Sequence, residues 1–370
     1  MWRISGAGGA LAWFVLSSGE RVALLQRVGP VLAFLVAVTV LADVAALAGA
    51  FDVLGSLAVR LARGRTLVLF AFVIVLSAST TILFSLDTTA VLVTPVVIAM
   101  SRTTGVRTWP FALAVLWLAN TGSLLLPVSN LTNLLAMQTL DLATSGYAAL
   151  MWKPALAAIL LTALALLAAH GPSLRGRHTA PEQAPVADRA LLVAAFVSIG
   201  VFMVGLAGDA APAVAAGVAA SIAASALAVR DHPMRLLALF PWRLIVTVLG
   251  MFLVIAAVAD LGLREIVVHL LDGRTDTIAV AGVAAALANL LNNLPTYLLI
   301  DRVVPHTLLP AVLVGTNLGP IVTPWASLAT LLWAERLRRA GEPVRWRTVI
   351  VGGVVLAPVL VLAAALALPR

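Results

Sequence analysis

The chain has 370 residues, of which 62% are hydrophobic and only 11% are charged; its net charge is +8 and it contains no cysteine. A soluble domain carries about 25% charged residues and could not bury this much apolar side chain, so a soluble globular protein is excluded. The missing cysteine excludes disulfides, thiolate metal sites and thiol catalysis. Because the arginines collect in short predicted loops, we interpret the basic balance as a membrane topology signal and predict no nucleic-acid partner.

Apolar runs of membrane-spanning length recur along the whole chain. A helix needs roughly 17–25 apolar residues to cross the hydrocarbon. The runs that approach or reach this length are 30–50, 66–86, 148–169, 191–207 and 349–368. They are continuous rather than alternating, which favours helices over a membrane β-barrel. The predicted fold class is therefore an all-α, multi-pass membrane protein, in which the basic and then apolar N-terminus forms a short first helix.

A polar stretch at 171–189 separates two halves that repeat one another. The segment 120–135 aligns with 317–332, since an asparagine, a glycine, a proline and three leucines recur at identical spacing. Upstream of each segment, a polar cluster interrupts an apolar run, at 85–89 in the first half and at 292–296 in the second. Each half therefore contains two breaks in otherwise apolar sequence.

These breaks predict the architecture of a secondary transporter. An unsatisfied backbone group costs several kcal/mol in hydrocarbon, so segments this polar must be buried in protein or line a cavity. Paired breaks at matching positions of two halves are typical of a transporter substrate site. We expect each half to hold one re-entrant hairpin and one broken transmembrane helix, with the hairpins near 66–101 and 275–302 and the broken helices near 108–140 and 308–335.

Arginine placement indicates that the two repeats are inverted. Cytoplasmic loops of membrane proteins carry an excess of Lys and Arg. If the first hairpin enters from the cytoplasm, the first repeat, 1–170, ends at the basic linker 171–189, which is then cytoplasmic. The second repeat, 190–370, runs the opposite way, so that its hairpin enters from outside and its broken helix ends at cytoplasmic arginines. Arginines on the predicted outer side run against this bias, namely Arg264, Arg274 and Arg302.

Four segments carry a resemblance to a known family, namely 86–95, 128–133, 292–296 and above all 317–333. They resemble the arsenite/antimonite efflux permease family of the ion transporter superfamily. The resemblance implies a scaffold and a mobile transport domain in the cell membrane, exporting neutral As(OH)3 or Sb(OH)3 in exchange for protons. The chain shows no Walker loop, so any ATP hydrolysis would be carried out by a separate ATPase subunit. The sequence leaves open whether such a partner exists.

The breaks supply polar and mostly uncharged side chains. A pyramidal trihydroxide offers three O–H donors and several lone pairs, so its site needs amides and hydroxyls with few fixed charges. The alternative is that these groups satisfy backbone at interrupted helix ends. The predicted substrate-binding residues are Thr88, Thr89, Asn120, Ser123, Ser129, Asn130, Asn133, Asn292, Asn293, Thr296, Asn317, Thr323 and Ser327.

Asp87 is the only carboxylate within the four breaks. An intramembrane carboxylate costs about 2.5–3.5 kcal/mol on insertion scales and marks a proton or ion path. We predict that Asp87 couples transport to protons, with a structural N-cap for a helix starting at Thr88 as the alternative. Asp43, near the inner end of the run 30–50, is either a second coupling residue or a solvated carboxylate at a helix end.

A sodium-coupled carboxylate carrier or a sodium/proton antiporter of the same superfamily is the alternative function. Superfamily relatives hold carboxylates and sodium with Ser-Asn-Thr clusters at such breaks. Here 129–131 and 327–329 lack a complete triplet, and the breaks carry no Lys or Arg. The histidines show no metal-ligand spacing and the spans contain no acid pair, so we predict no catalytic site, no metal and no cofactor.

Overall fold

The computed structural model describes residues 2–178, 188–230, 234–271 and 276–369, and within these ranges it is built from helices. Seven of the helices found there are long and apolar enough to cross a membrane, which confirms a multi-pass membrane protein. The first half contains α1 (Trp2–Val15), α2 (Ser18–Leu47), α3 (Ala50–Ala62), α4 (Thr66–Leu83), α5 (Leu86–Thr88), α6 (Thr94–Thr104), α7 (Thr108–Thr121), α8 (Leu131–Thr139) and α9 (Thr144–His170).

The second half follows the same order of elements from α13 onward. Its helices are α10 (Arg189–Ala207), α11 (Pro212–Arg230), α12 (Met234–Leu239), α13 (Trp242–Val258), α14 (Arg264–Leu271), α15 (Thr277–Leu291), α16 (Asn293–Ile300), α17 (Leu309–Leu318), α18 (Leu328–Arg339) and α19 (Trp346–Leu366). Residues 179–187 of the predicted linker, and Arg274, lie outside the described residues. Two helix pairs connect the halves in a similar way. Helix α1 packs along α13, and α11 packs along α2.

The first hairpin consists of α4 and a returning leg of α5, a π-helical turn at Thr89–Val93 and α6. Its helices run from Thr66 to Thr104; the bounds expected from the sequence are 66 and 101. The broken helix that follows is α7 and α8, joined through two short 3₁₀ turns. Glycine, proline and an extended Asn130 (φ −152°) keep this stretch from continuing as an α-helix.

The second hairpin consists of α15 and α16, and the second broken helix consists of α17 and α18. The hairpin helices span 277–300 and those of the broken helix 309–339; the bounds expected from the sequence are 275–302 and 308–335. The hairpin turns at Asn292, whose backbone has φ +126° and ψ 156°. That region is essentially reserved for glycine, so a non-glycine residue there is strained by about 1–3 kcal/mol and must be held by its surroundings.

The loops predicted to be cytoplasmic meet at one end of the helix bundle, here called the arginine-rich end. The backbone of His178 donates to the carbonyl of Gly64 at 2.8 Å, which joins the start of the linker to the α3–α4 loop. Arg102 contacts Glu342 at 3.4 Å, and the Arg345 guanidinium lies over the ring of Trp109. Both legs of the first hairpin therefore start from this end. Which side of the membrane it faces stays a prediction.

Other polar contacts lie at the opposite end of the bundle. The backbone amide and hydroxyl of Ser145 donate to the two carboxylate oxygens of Asp209, each at 2.7 Å, and these bonds lower the pKa of Asp209. Arg27 forms an ion pair with Asp301, whose side chain is only 1% exposed. Arg27 lies within a helix, because α2 begins at Ser18, well before the apolar run at 30, and includes it.

Candidate functional site

The two broken helices meet at the side chain of Asn317. Its Oδ1 atom accepts a hydrogen bond from the Ser123 hydroxyl at 2.6 Å and another from the Asn130 Nδ2 at 2.7 Å. All three side chains are buried. The last turn of α17, in the second half, is therefore tied directly to the first break.

The Nδ2 atom of Asn317 faces acceptors from both halves. It donates to the backbone carbonyl of Leu313 at 2.9 Å within its own helix. It also lies 3.2 Å from Asn133 Oδ1 and 3.4 Å from Thr132 Oγ1, at the start of α8. The Nδ2 of Asn133 in turn donates to the carbonyl of Ser123 at 2.6 Å. These contacts give the first break a fixed shape built around one amide of the second half.

The tip of the first hairpin satisfies its own hydroxyl groups. Ser85, in extended backbone, caps the returning leg by accepting from the Thr88 amide at 3.1 Å, and its hydroxyl donates to Thr88 Oγ1 at 2.9 Å. Thr89 shares a hydrogen bond of 2.9 Å with Thr81. Ser129 donates to the carbonyl of Ile82 at 3.0 Å, so the tip is joined to the first break.

Asp87 lies in the first turn of α5 rather than at its cap. The predicted alternative role, an N-cap for a helix starting at Thr88, is wrong because Ser85 holds that position. The Oδ1 of Asp87 is buried and has no hydrogen-bond partner within the described residues. The same holds for the hydroxyls of Ser327 and Thr330 at the start of α18, the helix that packs against this leg of the hairpin.

The tip of the second hairpin is anchored to the second break. The Asn292 side chain donates to the carbonyl of Trp325 at 2.9 Å and accepts from the backbone of Leu294 at 3.3 Å. The backbone amide of Asn293 donates to the carbonyl of Ala326 at 2.9 Å. These bonds account for the strained backbone at Asn292, since the second break holds the tip in place from the other side.

Asn289 is a central residue of the second half that the sequence analysis did not identify. Its Nδ2 donates to the carbonyl of Gly319 at 2.8 Å, and its Oδ1 accepts from the backbone of Thr323 at 3.1 Å. The Thr323 hydroxyl donates back to the carbonyl of Asn289 at 2.8 Å. The sequence feature that could have identified Asn289 is an amide inside an apolar run, one helical turn before Asn292 and Asn293.

The remaining predicted residues fall into two groups. Asn120 and Thr296 are buried, and Asn120 Oδ1 and Thr296 Oγ1 lack a hydrogen-bond partner in the described part of the chain. The Nδ2 of Asn120 is used within its own helix, where it donates to Leu116 at 3.0 Å. Asp43 lies apart from the breaks, near the C-terminal end of α2, where it interacts electrostatically with Arg336 at the arginine-rich end.

The chemistry of the site is that of neutral donors and acceptors with one carboxylate. Nearly all buried polar atoms in proteins have hydrogen-bond partners, so a group of unpaired ones needs an explanation. In the described structure, the unpaired oxygens at the breaks and beside the hairpin tips include those of Asp87, Asn120, Thr296, Ser327 and Thr330, while Ser77, Ser101 and Tyr297 are unpaired elsewhere in the hairpins. They can exchange hydrogen bonds with a small polar solute, and only Asp87 can also carry a proton.

Comparison with known proteins identifies the family. The family model for citrate transporters matches residues 3–330. Arsenical pump membrane proteins of Yersinia enterocolitica and Escherichia coli are 32% and 31% identical to the chain, and each alignment covers 84% of this chain and 79% of the relative. The chain belongs to the arsenical efflux permease family. A putative arsenical pump membrane protein of Bacillus subtilis is 23% identical to the permease. That alignment covers 81% of this chain and 78% of the relative.

A solved structure supports the fold of the permease. The crystal structure of the Alcanivorax borkumensis YdaH transporter, described as revealing an unusual topology, aligns with a TM-score of 0.58. The alignment covers 95% of this chain and 88% of that chain, at 16% sequence identity. This likeness concerns the fold alone. Together with the family it confirms an all-α membrane transporter.

Proposed function

We propose that the permease exports arsenite and antimonite as uncharged trihydroxides, in exchange for protons. The observation that carries the proposal is the set of buried oxygens at the breaks and hairpins that have no partner in the described structure, to which Asp87 contributes a carboxylate. A neutral polyhydroxyl solute can bond to such oxygens without bringing an unbalanced charge into the membrane. Relatives at 31% and 32% identity carry the name arsenical pump membrane protein, which supports the same substrate class.

Asp87 provides a physical reason for exchange. A buried carboxylate with no cationic partner is costly as an anion, so an empty site favours the protonated form. An O–H donor of the trihydroxide forms a charge-assisted hydrogen bond to the anion and thereby favours loss of the proton. The site then moves either with a proton or with substrate. One neutral solute leaves as one proton enters.

The test is uptake by everted membrane vesicles. Wild-type protein should accumulate arsenite and antimonite when a proton gradient is imposed, and accumulation should collapse when the gradient is dissipated. Asp87→Asn should bind substrate but lose proton-driven accumulation, because an amide cannot titrate. Asp43→Asn is the matched control, since Asp43 lies at the arginine-rich end. Unchanged coupling in Asp87→Asn, or its loss in Asp43→Asn alone, would contradict the assignment.

The same vesicles separate the alternative function. A sodium-coupled carboxylate carrier would accumulate succinate or citrate when a sodium gradient is imposed, and the matching family model is described as a citrate transporter. The hydrogen-bonded groups around Asn317 are amides and hydroxyls, which offer no cationic partner for a carboxylate. We therefore expect no succinate or citrate accumulation. Adding ATP without a gradient would show whether a separate ATPase subunit takes part.

A further inference from the structure

Two arginines that run against the positive-inside bias line one cavity. The cavity measures about 130 Å³ and lies between α2, α13, α14 and α16, at the end of the bundle opposite to the arginine-rich end. Arg264 and Arg302 were both predicted on the outer side, and both line it, together with Arg27 of α2. A binding site for an anion would explain why arginines stand on this side.

The charge of the cavity wall is positive. Its carboxylate, Glu20, is engaged in capping α2, where it accepts from the backbone amide of Ser17 at 2.7 Å. Arg27 is paired with Asp301, which is buried behind it. Arg302 follows Asp301 directly at the end of α16 and is itself exposed.

The remaining wall and the surroundings of the cavity are apolar. Leu24, Phe252 and Leu298 are among its lining side chains. Nearby on the outer surfaces of α2 and α14, Leu25 and Ile266 are 43% and 57% exposed, which is typical of surface that faces lipid. The cavity thus combines arginines with an apolar wall next to exposed apolar side chains, and an anionic lipid offers a matching phosphate and acyl chain.

We propose that this cavity binds an anionic phospholipid, with its phosphate at Arg264 and Arg302 and an acyl chain along the apolar wall. The scaffold helices α2 and α13 form one wall, and α16 of the second hairpin forms another. A bound lipid therefore bridges the scaffold and the hairpin and stabilises the described arrangement. This role is independent of which solute the permease carries.

The test is thermal unfolding of the purified full-length protein in neutral detergent. The additives are phosphatidylglycerol, phosphatidylcholine and water-soluble glycerol phosphate, each titrated separately. Phosphatidylglycerol should raise the unfolding temperature, and the other two should not. One arginine near a lipid phosphate contributes about 1 kcal/mol, so Arg302→Gln should weaken the apparent affinity about fivefold and Arg264→Gln/Arg302→Gln about 25-fold.

Two further variants keep the test decisive. Arg302→Lys retains the charge and should keep most of the effect of phosphatidylglycerol. Arg347→Gln removes an exposed arginine at the arginine-rich end and should leave the effect unchanged. Equal stabilisation by phosphatidylcholine, or an undiminished effect in the double variant, would overturn the proposal. Equal stabilisation by glycerol phosphate would show a site for soluble phosphate and overturn the lipid assignment.

Discussion

Replacing Asn317 by alanine removes a side chain that joins the two halves at the first break. In the structure its amide contacts Ser123, Asn130, Thr132 and Asn133, all of which belong to the first half. The substitution therefore cuts the cross-half hydrogen bonds at the centre of the site in one step. We expect Asn317→Ala to lose both stability and transport.

The size of the stability loss follows from these contacts. Hydrogen bonds between transmembrane helices average about 0.6 kcal/mol each, so four contacts give roughly 2 kcal/mol. A second route gives a similar value. The Asn130 Nδ2 donates to Asn317 in the described structure, and a buried donor left unpaired costs about 1–3 kcal/mol. The Ser123 hydroxyl loses less, because the carbonyl of Asn120 lies 2.7 Å away and can accept instead.

Asn120→Ala is the matched control for this prediction. Asn120 is equally buried, but its Nδ2 bonds to its own helix and its Oδ1 is unpaired in the described structure. Unfolding in detergent and transport in vesicles should be measured on both variants. Asn120→Ala should stay within about 1 kcal/mol of wild type while transport falls. Wild-type stability in Asn317→Ala, or equal destabilisation of the two variants, would refute the reasoning.

Three other predictions use thermal unfolding or labelling. Asn292→Gly should be more stable than Asn292→Ala by about 1 kcal/mol or more, because only glycine relieves the strained backbone; the reverse order would contradict the strain. Arg27→Met should cost about 3–5 kcal/mol by leaving Asp301 buried and unpaired, and Arg27→Met/Asp301→Leu should recover most of it. Cysteines introduced at Ser173 and Gly341 should both react from the cytoplasmic side; reaction from opposite sides would contradict the predicted topology.

The sequence was informative wherever polar residues interrupt apolar runs. Backbone that leaves the helical ladder in a membrane must be buried in protein, so polar clusters and proline mark such places directly. In the structure the corresponding helices run from Thr66 to Thr104 and from Leu309 to Arg339. The repeat, visible as identical spacing in two segments, supplied the order of elements in both halves.

Pairings across the halves could not be predicted in the same way. The contact between Asn130 and Asn317 joins residues far apart in the chain, and nothing in local sequence specifies which amide meets which. The ion pair between Arg27 and Asp301 was not predicted, for a second reason. The apolar run recognised in the sequence begins at 30, whereas α2 begins nine residues before Arg27 and includes it.

The geometry also ranks the predicted binding residues by what a substrate would gain from each. Asn130 and Asn317 already share a hydrogen bond of 2.7 Å, so a solute that bonds to either must first break it and gains little in exchange. Asn120 Oδ1 and the hydroxyls of Thr296 and Ser327 have no partner to give up in the described structure. Each hydrogen bond formed there also removes the cost of an unpaired buried group. We therefore expect substrate contact at these three residues and at Asp87, while the amides around Asn317 hold the first break in its observed shape.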